Sequence, residues 1–224
     1  MIAGEKEKDM DKWILGKKAG MTQVFDSTGK VIPVTVIEAG PCVVTQIKTN
    51  EVDGYAAVQV GFAEMRKTLV NKPRTGTFKK AGTTPRRFLR EFPVADITAY
   101  SLGQEIKCDV FAEGDVVDVT SRTKGRGFTG VIKRWNQARV GPMSHGTGPI
   151  HRSAGSMGAN SDPSRVFPGK HAAGQYGDEQ VTIQNLTVVK VDADKNCILV
   201  KGGIPGAEGA LVSIKAAVKK GGKK

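Results

Sequence analysis

Residues 181–201, VTIQNLTVVKVDADKNCILVK, read as two strands joined by a turn. Val181 to Val191 and Cys197 to Lys201 are short apolar runs rich in Val and Ile, and Asp192 to Asn196 supplies turn residues between them. Toward the N-terminus the same texture recurs in Val31 to Ala39, Cys42 to Lys48 and Tyr55 to Phe62, runs bounded by Gly, Pro, Asn and Asp. Gly40-Pro41 separates the first two of these and Asn50 to Gly54 the next two, which predicts hairpin loops at both places. Gln104 to Phe111, Val116 to Thr120 and Leu211 to Val218 complete the set. Six or more short antiparallel strands with Gly/Pro turns predict a mainly β fold closed into a barrel, which also hides its strand edges. Helix is scarce. Short helices are expected near Val94 to Tyr100 and within Gly130 to Arg139, where Val131, Ile132 and Trp135 recur at helical spacing.

Two segments interrupt this pattern. Residues 121–177 hold nine Lys or Arg against one acid, Asp162, together with 11 of the 28 glycines and all three histidines. The apolar side chains of that segment are too few to offset the entropy of ordering it. Residues 65–90 hold nine basic residues and no acid, lack periodicity, and read as a disordered loop that becomes a second arm beside a polyanion. Residues 219–224 add a tail with four lysines. The rest of the chain holds 12 basic and 21 acidic residues. The net charge of +12 therefore belongs to two insertions and a tail on an acidic β body. A polyanionic partner follows, and a uniformly basic coating protein does not.

The remaining motifs exclude more than they add. Gly125, Gly127 and Gly130 spell GxGxxG after a strand-like run. However, no acid lies about 20 residues on and no βαβ unit follows, so a dinucleotide cofactor is not expected. Glycines interleaved with Lys124 and Arg126 instead let backbone amides approach phosphates. His145, His151 and His171 match no metal spacing and share their segment with no cysteine, so no metal is expected. In a Gly-rich basic loop, histidine more often stacks on a base or hydrogen-bonds a phosphate. Ser144, His145 and Ser153 lack both a GxSxG elbow and an orienting acid, so no catalysis is expected. Trp135 reads either as the anchor of a short helix or as a platform for nucleobases, and Trp13 as a packing residue. Cys42, Cys108 and Cys197 lie far apart in strand-like surroundings and read as small buried hydrophobes of a reducing compartment. No run approaches 18 apolar residues, and the N-terminal MIAGEKEKDMDKWILG has no apolar core of a secretory signal.

At LGKKAGMTQVF (15–25), VNKPRTGTFKKAG (70–82), GRGFTGVIKRW (125–135), SHGTGPIHRSAGSMG (144–158), PSRVFPGKHAAGQYG (163–177) and VTIQNLTVVKVDADKNCILVKGGIPG (181–206) the chain resembles the bacterial large-subunit ribosomal protein L3 family. The resemblance runs in unbroken order from about Trp13 to Lys220. It implies a six-stranded barrel of the translation-factor kind with long irregular basic extensions that enter large-subunit ribosomal RNA. The expected division is a disordered acidic head at 1–12, a discontinuous barrel body at 13–64, 91–120 and 178–218, a basic arm at 65–90, a Gly-rich extension at 121–177, and the tail at 219–224.

By the same resemblance the protein binds early in assembly near the RNA's 3′ end, and its central extension approaches the peptidyl transferase centre. The implied partners are that RNA and neighbouring large-subunit proteins, with no membrane and no small-molecule substrate. Two features depart from the family. The first is the acidic head, with Glu5, Glu7, Asp9 and Asp11. The second is the loop Gly158-Ala159-Asn160-Ser161-Asp162, which lacks the glutamine that some relatives methylate.

The expected RNA contacts in the first arm are Arg66, Lys67, Lys72, Arg74, Lys79, Lys80, Arg86 and Arg87. In the extension they are Lys124, Arg126, Lys133, Arg134, Trp135, Arg139, His145, His151, Arg152, Arg165, Lys170 and His171. Lys and Arg would meet phosphates, and the rings would meet bases or sugars. One competing expectation is a general nucleic-acid binder outside the ribosome, which would hold duplex DNA as tightly as ribosomal RNA. Another is an enzyme using His145 or His151, whose activity would vanish in His145→Ala.

Overall fold

The structure is a computed structural model that describes residues 12–94 and 96–219. The acidic head therefore lies outside the described residues except for Lys12, and the basic tail except for Lys219. The chain divides into two compact units, one made of residues 123–179 and the other of the remainder.

The larger unit is mainly β. Strands β1 (Trp13–Phe25), β2 (Val31–Ala39), β7 (Val116–Arg122), β10 (Gln180–Asp192), β11 (Cys197–Lys201) and β12 (Leu211–Ala216) form one antiparallel sheet. Its order is β1-β12-β7-β10-β11-β2, and β2 pairs back onto β1, so the sheet closes on itself. Period-two alternation explains its interior. Val117 and Val119 of β7, Ile198 and Val200 of β11, and Val212 and Ile214 of β12 are fully enclosed, while intervening residues such as Leu199 and Ser213 keep partial exposure.

A second antiparallel sheet has the order β5-β4-β3-β6, built from β3 (Cys42–Lys48), β4 (Ala57–Glu64), β5 (Arg86–Pro93) and β6 (Glu105–Ile106). It shares a core with the closed sheet, which is why Trp13, Ile14 and Leu15 are buried in succession rather than alternately. Trp13 stacks on Phe92 of β5 with ring centroids 4.2 Å apart, the packing role expected for it. Cys42 and Cys108 are buried free thiols, and Cys197 is half-buried.

Several expectations are corrected here. β2 and β3 do not form a hairpin, because the chain switches sheets at Gly40. That glycine has φ +82°, and a Cβ there would meet the Ile106 carbonyl oxygen at 3.1 Å, so the corner is tight and left-handed. The strand expected over Gln104 to Phe111 shrinks to β6 and a 3-10 turn at Cys108–Val110, since pairing with β3 stops at Ile106. No helix forms over the described residues of 94–100. The Asp96 carboxylate accepts from the Thr98 backbone N–H and hydroxyl at 2.9 and 2.6 Å, which favours a turn.

The unstructured arm at 65–90 is also corrected. A helix spans Lys72–Lys80, capped by Asn71, whose Oδ1 accepts from the Arg74 N–H at 3.2 Å, and it buries Phe78. β5 then crosses the expected boundary at residue 90 and pairs along β4. β1 escaped the sequence reading because Gly16, Gly20 and paired lysines dilute its apolar pattern. Strand pairing on both sides holds it.

Candidate nucleic-acid interface

The unit of residues 123–179 is closed at its base by the chain's own return. β8 (Gly127–Thr129) pairs with β9 (Gly174–Tyr176), the Thr123 N–H donates to the Glu179 carbonyl at 2.9 Å, and the Arg126 N–H donates to that of Tyr176 at 2.8 Å. Gly177 has φ +72° and lies so close to the Lys124 carbonyl that any Cβ would overlap it. A five-residue helix follows at Val131–Trp135, inside the range expected, and ends on Asn136 in the left-handed region.

That helix grips the returning strand. The Arg134 guanidinium and the Trp135 indole N–H both donate to the Ala172 carbonyl, at 3.0 and 2.9 Å. The His171 ring lies parallel to that of Trp135, and Arg134 sits over the indole with 5.0 Å to its centroid. A Cβ at Gly174 would fall 2.6 Å from an Arg134 nitrogen, so the glycine makes room for the clamp.

Beyond the clamp, residues 136–173 are held by local turns. Thr147 Oγ1 donates to the Ser144 carbonyl at 2.7 Å, a 3-10 turn spans Gly148–Ile150, and the Lys170 ammonium donates to the Ser156 carbonyl. Among the described residues, Val131 is the one large hydrophobic side chain of this unit that is buried. Phe128 (79 % exposed), Met143 (85 %), Met157 and Phe167 (58 % each) face solvent. A Gly-rich backbone thus carries eight Lys or Arg against three acids, Asp162, Asp178 and Glu179, with its apolar groups uncovered. Such a surface offers charge to phosphates and flat or flexible apolar groups to bases and sugars.

The expected contact residues separate into distinct placements. Lys124, Arg126, Lys133, Arg139, His145, Arg152 and Arg165 are exposed on this unit, with Arg165 lying over the Phe167 ring at 5.3 Å. Arg134, Trp135 and His171 are engaged with one another, and Lys170 is half-buried. His151 is half-buried with Nε2 enclosed and unpartnered. No group of three His, Cys, Asp or Glu that could hold a metal converges among the described residues.

Arg66, Lys67, Lys72, Arg74, Lys79, Lys80 and Arg87 are exposed on the larger unit. Arg86 is buried there. Its stem crosses Gly61, where a Cβ would sit 2.7 Å from Arg86 Cγ, and its guanidinium faces Glu64 at 3.6 Å. Arg86 therefore serves the fold. Phe128, Met143, Met157 and Phe167 join the expected cations and rings on the exposed surface of this unit. Their signal was large apolar side chains in a segment with no period to bury them.

Comparison with known families places this unit in a wider match: residues 95–197 match the family model described as ribosomal protein L3. The matched span contains the whole of 123–179 and ends at the start of β11.

Proposed function

We propose a function for this chain on the premise that the match supports a member of the ribosomal protein L3 family. That family implies a structural constituent of the large ribosomal subunit that binds ribosomal RNA in the cytoplasmic ribosome. The finer reading is that the chain is a primary binder of large-subunit RNA near its 3′ end, which helps nucleate assembly and has no catalysis of its own. The closed six-stranded sheet is read as a barrel of the translation-factor kind, serving as the preformed platform. Residues 123–179 are read as the extension directed toward the peptidyl transferase centre, with the loop at 158–162 near its tip.

One observation carries this reading. The 123–179 unit exposes most of its cations together with Phe128, Met143, Met157 and Phe167, while burying Val131. Water is a poor solvent for that set of apolar groups, and a structured RNA supplies both phosphates and base faces. Sedimentation of the tagged chain from a cell lysate tests the reading. Co-migration with large subunits and their precursors is the expected result, and ribosome-free protein throughout the gradient contradicts it.

A further inference from the structure

Two of the three cysteines meet at one turn. β10 and β11 are joined through Asp192 to Asn196, and Asp192 stands opposite Cys197 in their ladder. The Cys108 thiol, in the 3-10 turn that follows β6, donates to the Asp192 carbonyl at 3.5 Å. The Cys197 thiol donates to the Lys195 carbonyl at 3.4 Å. Opposed residues of an antiparallel pair have Cα atoms about 4.5–5.5 Å apart. The carbonyl that holds Cys108 therefore belongs to the residue facing Cys197.

Hydrogen bonds fix the backbone on both sides of this meeting point. Asp192 Oδ1 accepts from the Lys195 N–H at 3.2 Å, and the Asn196 carbonyl accepts from the Ala39 N–H at 2.7 Å. The Phe111 N–H donates to the Cys108 carbonyl at 3.2 Å and closes the 3-10 turn. Cys108 is fully enclosed, whereas Cys197 is half-buried, so a small solute reaches the second sulfur and not the first. Burial is the main cause that raises the Cys108 thiol, then Asp109, and the neighbouring Cys197 adds to it. Burial raises Cys197 too, followed by Asp192 and Glu38, so both stay protonated and slow to react near neutral pH. No third ligand converges with them among the described residues, so the pair is not a metal site.

We infer that Cys108 and Cys197 form an oxidation site, where a peroxide converts the two thiols into a disulfide joining the turn after β6 to the β10–β11 hairpin. The Cys197 sulfur, as thiolate, attacks one peroxide oxygen. The O–O bond breaks, a sulfenic acid forms, and the leaving hydroxide takes a proton to become water. The Cys108 thiolate then attacks that sulfur, the S–O bond breaks, and a second hydroxide leaves as water. Two thiols and one hydrogen peroxide thus give one disulfide and two waters, with sulfur oxidised and peroxide oxygen reduced. In a reducing compartment such a bond is transient and reports oxidative stress. The loop it closes runs from 108 to 197 and contains all of residues 123–179. Cys42 takes no part, since its enclosed thiol donates to the Leu15 carbonyl at 3.4 Å.

The inference stands apart from the RNA-binding reading, and its test needs no RNA. The full chain is reduced, treated with hydrogen peroxide, alkylated in denaturant and mapped by mass spectrometry without reductant. A peptide linking Cys108 to Cys197 is expected, with alkylated Cys42 the one thiol left of three. The cross-linked chain should also run faster on a non-reducing gel, and dithiothreitol should restore its mobility and all three thiols. Cys197→Ser should show no mobility change at the same peroxide dose. Cys197 carried to a sulfinic acid, or linked to a second chain, with Cys108 still alkylated would overturn the inference. A disulfide that includes Cys42 would overturn it as well.

Discussion

The imidazole of His171 lies flat against the indole of Trp135, with ring centroids 4.2 Å apart and planes 4° from parallel. Trp135 also donates its ring N–H to the carbonyl of Ala172, next to that histidine. Both rings were expected to contact RNA, yet one face of each is already taken inside the unit. They form a strut that ties the helix Val131–Trp135 to the returning chain, and Arg134 lies over the same indole.

Trp135→Ala should therefore loosen the 123–179 unit locally. The stacked pair is worth about 1 kcal/mol, so hydrogen exchange at the Arg126 and Arg134 amides, both hydrogen-bonded in this unit, should quicken about fivefold. Amides of β7 and β12 should be unaffected. Unchanged exchange at Arg126 and Arg134 would show that the stack does not support the unit.

Arg86 should behave as a fold residue and not as an RNA contact. Its buried stem on Gly61 and its position facing Glu64 predict that Arg86→Ala lowers unfolding stability by about 1–3 kcal/mol in urea denaturation. Arg87→Ala, one residue on and exposed, should leave stability within about 0.5 kcal/mol. Equal stability of the two variants contradicts this assignment.

These contrasts show what was readable in the chain. The strand runs at 31–39, 42–48 and 197–201 stand where the β-branched pattern puts them. Each has enough apolar residues between turn signals to declare itself. β1 and β5 were hidden, one behind Gly16 and Gly20 and the other behind RRFLREF, because pairing with neighbours distant in sequence decides them. The same limit applies to the site. The sequence marked the cations of 121–177, but not that Arg134 would turn inward onto Ala172 or that Arg86 would cross a glycine on β4. Those outcomes depend on which backbone lies opposite, which local composition does not encode.

The buried Cys42 thiol sets an alkaline limit on stability. Burial pushes it from 9.0 up to about 12, against the smaller opposing effects of its hydrogen bond to the Leu15 carbonyl and of Arg86. A raised folded value stabilises the native state fully below pH 9, and that stabilisation is lost as pH rises toward 12. Burial also raises Cys108 and Cys197, so all three act in the same direction. Stability measured by urea denaturation should decline above pH 9, and Cys42→Ala should decline less steeply. Parallel pH profiles for the two proteins would contradict this.

The central claim is that the cations of residues 123–179, with help from the larger unit, hold ribosomal RNA chiefly through phosphates. Its most direct test is the affinity of the full chain for large-subunit ribosomal RNA across a salt series. With roughly ten phosphate contacts, log affinity should fall against log salt with a slope of about −7 to −9. A slope near zero would contradict the account.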